Sequence, residues 1–515
     1  MELTRSGRPW FALGYFLKVM LAVTLAELGL FVVLLLAHAS LPSAPLFRVV
    51  ELTGISLGIT SVVTLSTGVG YAYLAYPSHR VPLVFIVLLT AATLVAHLYV
   101  ISSATTAIGD ESYYLPEARL MLNGTQCGPS VPNCHTEHPP LSKMLIAAGM
   151  AAFGDNPFGW RIFTVLLGTF SVPLVFALVL RLSASRRMSY LSAALLALDV
   201  MFFSNSSAAW LDIPMVFFAL LAFVLYFYNV RFWKLDRFTL SGIMLGLAAF
   251  SKETAIFLLM TLVTYHLVAG EGGWKLRLLC AVEIGVVTAG VFILGLQLYD
   301  SLLAKNAFPT FLDEIHYILT YGAALKGGGW SYGGPNGNST QITPFSWMTY
   351  YQPVTYYGTK VSVCSSTCYY YVGVAFYGVT NFLETWTTFL WMPLDALAVW
   401  EALKPRGKGL EQFGFVDTAS RNLSGDAKLA LLSLVWFSWN YFTYVALFAY
   451  GRVTYPFYFI PALPAVAMGT AYFLTRKWMS GYLQVLYMAG VFVFFFIFFP
   501  DKAFLPIWLR VLIGK

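Results

Sequence analysis

Two adjacent carboxylates, Asp110 and Glu111, are the residues best placed to do chemistry in this chain. They follow a long apolar stretch, Val81 to Ala107, and precede the basic segment His138-Pro139-Pro140-Leu141-Ser142-Lys143. A hydroxyl group is a poor nucleophile until its proton is removed, and a carboxylate at about 3 Å can remove it. Either acid fits this role, although both could instead solvate a helix end. The pattern therefore indicates proton removal from an acceptor at a membrane surface, beside a lipid-phosphate leaving group.

A departing phosphate must be stabilised by cationic or hydrogen-bonding groups. The candidate cations come from separate parts of the chain: His138, Lys143, Arg161, Lys252 and Arg452. Each alone could be an anchor whose charged end reaches the membrane surface. Arg452 is the strongest candidate, because it begins an apolar span among Tyr450, Tyr455 and Tyr458, where an unpaired charge is costly.

Other polar residues could bind the acceptor or orient the reacting groups. Asp212 opens a span in Trp210-Leu211-Asp212-Ile213-Pro214, where it could bind a cation, orient a base, or only cap a helix before proline. Glu137 precedes the His-Pro-Pro turn and could bind the acceptor or be solvated at the surface. We group Tyr455 and Tyr458 with these two acids as acceptor-binding or orienting residues.

A divalent cation is a further alternative at this site. The acids Asp110, Glu111 and Asp212, together with His138, could in principle hold one. A lipid monophosphate donor does not demand a metal, because cationic side chains can stabilise its phosphate. We therefore expect no required cofactor.

Composition predicts an integral membrane protein. Of the 515 residues, 58% are hydrophobic and only 11% are charged, with a mean hydropathy of +0.71, whereas soluble domains carry about 25% charged residues. Many apolar stretches reach the roughly 20 residues that a membrane helix needs. We predict an all-α polytopic protein with about thirteen spans. They lie near 10–37, 54–77, 81–104, 160–180, 188–204, 211–229, 237–250, 254–269, 277–299, 376–400, 427–449, 453–474 and 481–499.

The basic residues predict the orientation of these spans. Lys and Arg concentrate in alternate short loops, for example at Arg80, Arg186 and Lys275, and such loops are usually cytoplasmic. This places the N-terminus in the cytoplasm and the candidate site residues on the outer face of the plasma membrane. The net charge of +7 is explained by this bias and requires no nucleic-acid partner. The first span lacks a small-residue cleavage site and is expected to be an anchor.

The chain divides into four regions by this prediction: N-terminal transmembrane helices at 1–80, a core at 81–300, a second outer loop at 301–375 and C-terminal helices at 376–515. The core contains a first outer loop at 105–159, with short helices expected at Tyr114–Leu122 and Pro140–Phe153. Loops this long are usually functional or disordered. The second loop is rich in glycine and aromatic residues, which favours either donor and acceptor binding or an aromatic belt at the interface.

The five cysteines fall into two local pairs and one single residue. Cys127 and Cys134 share the first outer loop, and Cys364 and Cys368 share the second. On an oxidising face these spacings predict two small disulfides. Metal ligation is the weaker alternative, because neither pair has the short spacing of a zinc knuckle. Cys280 lies in a predicted span and is expected to be an inert packing residue.

The motifs, taken in order, resemble the protein O-mannosyltransferase family, whose members are membrane glycosyltransferases of the GT-C class. The resemblance rests on Gly109-Asp110-Glu111, His138-Pro139-Pro140-Leu141-Ser142-Lys143, Asn156-Pro157-Phe158-Gly159-Trp160-Arg161, Leu211-Asp212-Ile213-Pro214, Ser251-Lys252-Glu253 and the segment Gly451 to Pro464. It covers roughly residues 85 to 500. No room is left for the soluble repeat domain of some eukaryotic members, which favours a prokaryotic or archaeal member.

The resemblance implies inverting transfer of mannose, or a related hexose, from a dolichyl or polyprenyl phosphate sugar to Ser or Thr of a protein. It implies that Asp110 is the base, that Glu111 acts on the acceptor side, and that Arg161 lies near the donor. Related enzymes that move another sugar, such as aminoarabinose, to a lipid are an alternative. An oligosaccharyltransferase is disfavoured, since the chain has no Trp-Trp-Asp motif. A transporter is also disfavoured, because its charges would lie near the bilayer midplane. The sequence leaves the acceptor motif and the oligomeric state open.

Overall fold

The computed structural model describes residues 9–304, 307–326, 330–333, 339–349, 354–364, 368–404 and 423–506, apart from 41–44, 47, 51, 54–55, 58–59, 62, 65–79 and 133. Its helices, in chain order, are α1 (Pro9–Ser40), α2 (Arg80–Val100), α3 (Glu111–Leu122), α4 (Leu141–Phe153), α5 (Pro157–Ser183), α6 (Arg186–Leu198), α7 (Val200–Ser206), α8 (Asp212–Phe227), α9 (Arg237–Ser251), α10 (Ile256–Ala269), α11 (Trp274–Leu302), α12 (Phe311–Ala324), α13 (Pro344–Thr349), α14 (Phe382–Leu403), α15 (Gly425–Phe437), α16 (Thr443–Ala449), α17 (Leu463–Leu474) and α18 (Gly481–Ile497). A 3₁₀ turn, Glu253–Ala255, leads into α10, and another, Pro456–Ala462, leads into α17.

The helical fold agrees with an integral membrane protein. In the described ranges, 5 helical segments are long and apolar enough to cross a membrane, or 6 if the bent pair α6 and α7 counts as one. Shorter apolar helices, such as α8, α9 and α18, lie at other predicted span positions. The predicted span 54–77 falls mostly outside the described residues. The full set of about thirteen spans, and their orientation, therefore stay predictions.

Local sequence signals set the helix boundaries around the site. The Asn156 side chain accepts hydrogen bonds from the backbone N–H groups of Phe158 and Gly159 and so caps α5, while Pro157 occupies the first helical position. Glycines also let helices pack closely. A Cβ atom at Gly242 or Gly246 in α9 would lie 2.8 or 2.5 Å from the Val287 or Val291 side chain of α11. The backbones of α9 and α11 can therefore approach closely, as small residues allow in membrane helices.

The two short helices predicted between residues 105 and 159 are both present. Helices α3 and α4 occupy the two expected positions and pack through Tyr114, Met121 and Ile146 into a shared apolar cluster. Between them, Cys127 and Cys134 form a disulfide, which confirms that prediction. The single Cys280 is buried in α11, as expected for a packing residue.

The second outer loop contains strands that the sequence analysis did not predict. A short hairpin pairs β1 (Trp330–Gly333) with β2 (Ser339–Ile342), and a longer one pairs β3 (Val354–Cys364) with β4 (Cys368–Gly378). The backbone register sets Cys364 opposite Cys368. Their side chains lie outside the described residues, so the second disulfide stays a prediction.

Two backbone hydrogen bonds attach the long hairpin to the rest of the protein. Gly109 N–H donates to the carbonyl of Tyr356 on β3 at 3.3 Å, and Ala375 N–H of β4 donates to the carbonyl of Pro500 at 2.9 Å. The hairpin is thereby joined to the residue that directly precedes Asp110. The second outer loop consequently forms a wall of the space in front of the acidic pair.

Candidate active site

A polar cavity of about 470 Å³ lies between the two outer loops and the ends of several membrane helices. Asp110, His138, Lys252, Arg452 and Glu137 all line it. Its walls are strongly aromatic, with contributions from Tyr113, Tyr114, Trp210, Tyr321, Tyr356, Tyr455, Phe457 and Tyr458. Residues separated by more than three hundred positions therefore converge on one space, as the sequence analysis expected.

Asp110 faces this cavity, and its carboxylate has no hydrogen bond or ion pair with any of the described residues. It lies at the N-terminal boundary of α3, and its side chain makes no capping hydrogen bond. Burial raises the pKa of Asp110, the charges of Lys252 and His138 lower it in part, and Asp212 raises it further. A raised pKa favours proton uptake, as a general base requires.

Gly109 determines how closely this acid approaches the cavity wall. Its φ of +53° is a backbone conformation that side chains other than glycine rarely adopt. A Cβ atom added there would lie 2.6 Å from the Trp210 ring. Trp210 in turn donates from Nε1 to the carbonyl of Ile108 at 2.9 Å. Trp210 thus fixes the turn that presents Asp110, through ring contact with Gly109 and a hydrogen bond to Ile108.

Glu111 lies outside the cavity lining and is fully engaged. Its carboxylate accepts hydrogen bonds from Nε and Nη2 of Arg161, both at 2.8 Å. It also accepts hydrogen bonds from the backbone N–H groups of Ile108 at 2.8 Å and Ala209 at 2.6 Å. The Arg161 guanidinium also donates to the carbonyls of Ile101 at 2.8 Å and Ala104 at 2.7 Å. Both side chains are fully buried, so this pair joins α2, α3 and α5 and lies apart from the cavity.

Lys143 is also placed away from the cavity. Its ammonium group lies 2.7 Å from Oε1 of the buried Glu117 and donates to the carbonyls of His135 at 2.7 Å and His138 at 2.9 Å. Lys143 therefore holds the turn that carries both histidines. Of the five predicted phosphate-binding cations, the structure brings His138, Lys252 and Arg452 together, and it places Lys143 and Arg161 in buried ion pairs.

Lys252 contributes to the cavity through a pair with Asp212. Its ammonium group donates to both Asp212 oxygens at 2.8 Å, and both side chains are buried. The ammonium also lies 5.1 Å from the ring centre of Phe457 and 5.3 Å from that of Tyr458. Asp212 thus orients the Lys252 ammonium group and balances its charge. Any net positive charge in the cavity must therefore come from other residues.

Arg452 is the cavity cation without a carboxylate partner in the part of the chain that the structure describes. Its Nε is buried and meets no hydrogen-bond acceptor among the described residues, while the guanidinium also interacts with the Tyr458 hydroxyl. A Cβ atom at Gly322 of α12 would lie 3.1 Å from its Nη1, so this glycine leaves room for the guanidinium. A buried donor without an acceptor is costly, and a ligand oxygen at this position would remove that cost.

An apolar groove of about 690 Å³ adjoins the polar cavity. Phe257, Leu259, Phe292, Leu319 and Leu447 are among its lining residues. The two spaces share the lining residues Glu253, Ile318, Gly322 and Arg452. A ligand with a charged head and an apolar tail could therefore occupy both, with its charge at Arg452.

Some site residues were not singled out by the sequence analysis. Glu253, named there only as part of a polar break, pairs with His138 at 3.0 Å. Lys326 lines the apolar groove and forms a backbone bridge with Arg452. Lys326 directly precedes the glycine-rich segment of the second loop, and this position was the sequence feature that could have marked it as a site residue. Tyr321 and Tyr356 come from loop elements whose packing the sequence does not reveal.

The predicted alternative of a divalent cation fits these contacts poorly. Both oxygens of Glu111 accept hydrogen bonds from Arg161, both oxygens of Asp212 accept from Lys252, and Nδ1 of His138 contacts Glu253. These contacts leave only the Asp110 carboxylate and Nε2 of His138 free among the four proposed ligands, and a metal would gain a single carboxylate there. Elsewhere in the described ranges, the one cluster of metal-ligating types, Glu117 with Cys127 and Cys134, contains the disulfide.

Known proteins resemble this chain in both sequence and fold. Residues 137–299 match the family described as dolichyl-phosphate-mannose-protein mannosyltransferase, which confirms the resemblance predicted from the motifs. The polyprenol-phosphate-mannose–protein mannosyltransferase of Mycobacterium tuberculosis is 38% identical over 138 residues, 27% of this chain and 26% of the relative. An undecaprenyl phosphate-alpha-4-amino-4-deoxy-L-arabinose arabinosyl transferase of Pseudomonas paraeruginosa is 30% identical over 174 residues, 33% of this chain and 32% of the relative. The matched segments thus span about a quarter to a third of these relatives.

Solved structures share the fold over most of the chain. The Saccharomyces cerevisiae protein O-mannosyltransferase Pmt1-Pmt2 complex, bound to the sugar donor, matches with a TM-score of 0.52 at 13% identity, over 84% of this chain and 90% of that chain. ArnT from Cupriavidus metallidurans, bound to undecaprenyl phosphate, matches with a TM-score of 0.50 at 17% identity. This match covers 79% of this chain and 62% of the ArnT chain. At these identities the likeness establishes the helical glycosyltransferase fold.

Proposed function

We propose that this protein transfers mannose, or a related hexose, from a polyprenyl or dolichyl phosphate sugar to Ser or Thr hydroxyls of proteins. The observation that carries the proposal is the junction of two spaces at Arg452: an apolar groove on one side and a polar cavity with a free carboxylate, Asp110, on the other. A lipid-phosphate sugar has the matching three parts, namely an apolar chain, a phosphate and a polar sugar.

The donor is held by its two dissimilar ends. The prenyl chain lies in the apolar groove against α10, α11 and α12, where burial of hydrocarbon stabilises it by about 25 cal/mol per Å². The phosphate accepts hydrogen bonds from the buried guanidinium of Arg452, and such charge-assisted bonds are about twice as strong as neutral ones. Lys326 adds positive charge beside the apolar groove, whereas the charge of Lys252 is already balanced by Asp212. The sugar then extends into the aromatic cavity toward Asp110.

The transfer needs one base and one stabilised leaving group. Asp110 takes the acceptor's hydroxyl proton as the oxygen attacks the anomeric carbon, and the bond from that carbon to the phosphate oxygen breaks on the opposite side. No second carboxylate needs to form a covalent intermediate, because Glu111 is held by Arg161 and Asp212 by Lys252. A single displacement inverts the anomeric configuration.

The topology that fits this reaction places the cavity on the outer face of the plasma membrane and the N-terminus in the cytoplasm. An acceptor protein that reaches the membrane surface then enters between the first outer loop and the β3–β4 hairpin. Glu137, which pairs with His135 at 3.0 Å in the cavity wall, is available near this entrance to bind the acceptor.

The direct test uses purified protein in lipid nanodiscs with a Ser/Thr-rich peptide. Polyprenyl phosphate mannose, the corresponding glucose donor and an aminoarabinose donor are offered separately, each with the peptide or with a lipid A acceptor. Mannosylated peptide in wild type, lost in Asp110→Asn, is the expected product. Transfer of aminoarabinose to lipid alone would overturn the protein-acceptor proposal.

Transfer of aminoarabinose to a lipid is the second candidate function, and one similarity supports it. The arabinosyl transferase of Pseudomonas paraeruginosa aligns with a third of this chain at 30% identity. The name of that enzyme also specifies an undecaprenyl phosphate sugar. The same apolar groove and Arg452 would therefore serve both reactions. The sugar and the acceptor are therefore what the assay must separate.

A further inference from the structure

Two imidazole–carboxylate pairs line the polar cavity, and they differ in position. His135 lies 3.0 Å from Glu137, and His138 lies 3.0 Å from Glu253. All four residues line the polar cavity, but Glu253 also lines the apolar groove, as Arg452 does. The His138–Glu253 pair therefore stands at the junction where the proposed function places the phosphate.

The contact with Glu253 fixes which nitrogen of His138 is free. Nδ1 faces the Glu253 carboxylate, so this nitrogen carries a proton and donates it. A neutral imidazole has one donor nitrogen and one acceptor nitrogen, so Nε2 is the position that gains and loses a proton. The side chain of His138 is 23% exposed, which leaves the ring accessible to a ligand in the cavity.

Charged groups from several elements surround His138. Asp110 and Asp212 interact with it electrostatically in addition to Glu253. Lys252 and Arg452 are cations of the same cavity, and Lys143 donates to the backbone carbonyl of His138. The Tyr114 ring meets the imidazole edge-on, with ring centres 6.5 Å apart. The imidazole therefore has three carboxylates among its electrostatic neighbours.

We propose that His138 is the proton donor to the departing lipid phosphate, with Glu253 as the residue that positions it. The inference rests on the proposed function and adds a second proton transfer to it. The acceptor oxygen bonds to the anomeric carbon, its proton goes to Asp110, and the electron pair of the broken bond stays on the phosphate oxygen. The Nε2 proton of His138 goes to the phosphate, which leaves as a monoanion instead of a dianion.

The chemistry of the two groups suits this transfer. The dianion of a phosphate monoester takes up a proton near pH 6, and imidazole in free solution titrates near pH 6.5. Arg452 cannot serve in this way, because a guanidinium does not give up its proton in proteins. Lys252 is already held by both oxygens of Asp212.

The kinetic test compares wild type with His138→Gln, His138→Arg and the matched control His135→Gln. Loss of a general acid is expected to lower kcat by about 10²–10⁴ with little change in donor KM. The wild-type rate should decline at high pH, and this decline should vanish in His138→Gln. His138→Arg keeps a cation but donates no proton, so it should be as slow as the Gln variant. His135→Gln should keep the decline.

Glu253→Gln tests the positioning role separately. Removal of its negative charge makes the imidazolium lose its proton at lower pH, so the high-pH decline should move to lower pH. Restoration of turnover by His138→Arg, or persistence of the decline in His138→Gln, would overturn the proposal. Either result would show that His138 acts only as a charge or a packing group.

A binding measurement tests the proton transfer from His138 without requiring that the protein transfer any sugar. The probe is polyprenyl phosphate, whose ³¹P chemical shift is followed against pH when it is bound to the protein in nanodiscs. A proton shared with His138 should make the bound phosphate titrate differently in wild type and in His138→Gln, while His135→Gln matches wild type. Identical curves in all three would refute the inference, whichever sugar the protein transfers.

Discussion

Nε of Arg161 lies 2.8 Å from Oε1 of Glu111, and its Nη2 lies 2.8 Å from Oε2, in a pair that is fully closed to solvent. Glu111 follows Asp110 directly, so this two-pronged contact holds the peptide that presents the proposed base. A buried charge without its partner is costly, whereas a buried pair with complete hydrogen bonding is tolerated. The pair therefore positions Asp110 through the backbone, and neither of its members needs to reach the substrate.

The first prediction concerns the stability of this pair. Arg161→Met should leave the Glu111 carboxylate buried and unpaired and lower the free energy of unfolding by about 3–5 kcal/mol. The matched control is Arg119→Met, which breaks a pair with Asp155 whose side chains are 41% and 47% exposed, and which should cost about 0–1 kcal/mol. Thermal unfolding in detergent measures both. Equal losses in the two variants would argue against a special role for the buried pair.

The second prediction concerns Asp110. Asp110→Asn should leave donor binding intact and lower turnover by about 10²–10⁴, the range for loss of a general base. The comparison variant is Asp155→Asn, which changes an acid that pairs with Arg119 and does not line the cavity. This variant should retain far more activity. Wild-type turnover in purified Asp110→Asn would exclude Asp110 as the base.

The pH dependence of turnover follows from the same residue. The active form of a base is the ionised carboxylate, and burial raises the pKa of Asp110 above its ordinary value. The rate should therefore fall as pH drops through this raised pKa, at a higher pH than an exposed aspartate with a pKa of about 3.9 would give. A rate that stays constant down to pH 4 would contradict this assignment.

The sequence predicted the location of the site better than the state of its charges. Polar residues at the ends of apolar helices are conspicuous, so Asp110, His138, Lys252 and Arg452 could be grouped before the fold was known. Which cations are neutralised depends on packing between distant segments. Arg161 and Glu111 lie 50 positions apart, and no local pattern marks such a partner.

The long hairpin shows a different limit of the sequence. Residues Val354 to Gly378 are rich in Tyr and Val, which favour strands. The same composition is typical of an aromatic belt at a membrane interface, and a lone two-stranded hairpin is marginally stable in water. It is supported by contacts that the sequence does not display. They include the tilted packing of the Tyr356 ring against the Trp210 ring, with centres 4.6 Å apart, and the hydrogen bond from Ala375 N–H to the Pro500 carbonyl.

The third prediction concerns the cysteines of the second outer loop. The β3–β4 register sets Cys364 opposite Cys368, so a bridge between them would close the end of the hairpin. Mass spectrometry of unreduced peptides should find this disulfide in addition to the one between Cys127 and Cys134. Protein made in its own compartment must be used, since disulfides form on the oxidising side of a membrane. Free thiols at Cys364 and Cys368 would place this loop on the reducing side.

The fourth prediction concerns divalent cations. Asp212 and Glu111 are already bonded to Lys252 and Arg161, so a metal would have to displace buried ion pairs to gain more than one carboxylate. Chelation with EDTA should therefore leave turnover unchanged, and added Mg²⁺ or Mn²⁺ should not raise it. Loss of activity on chelation, restored by one metal, would show that the site rearranges around an ion when the donor binds.

The fifth prediction concerns Arg452 and the phosphate of the donor. Its guanidinium has a buried Nε that meets no acceptor in the described part of the chain, and it lies at the junction of the groove and the cavity. Loss of hydrogen bonds to a charged group costs about 1.5–3 kcal/mol. Arg452→Ala should therefore weaken binding of polyprenyl phosphate on the order of 10- to 100-fold and also slow turnover. Arg452→Lys should restore only part of the affinity, because an ammonium cannot make the planar two-pronged contact.

Two further variants separate a specific contact at Arg452 from general positive charge. Lys326→Ala removes a more exposed cation of the same groove and should weaken binding much less. Gly322→Val keeps every charge but places a side chain where a Cβ atom would already be 3.1 Å from Nη1 of Arg452. It should therefore reproduce much of the loss seen in Arg452→Ala. Binding is measured with a fluorescent polyprenyl phosphate in nanodiscs. Equal affinity in Arg452→Ala and wild type would remove Arg452 from the donor site.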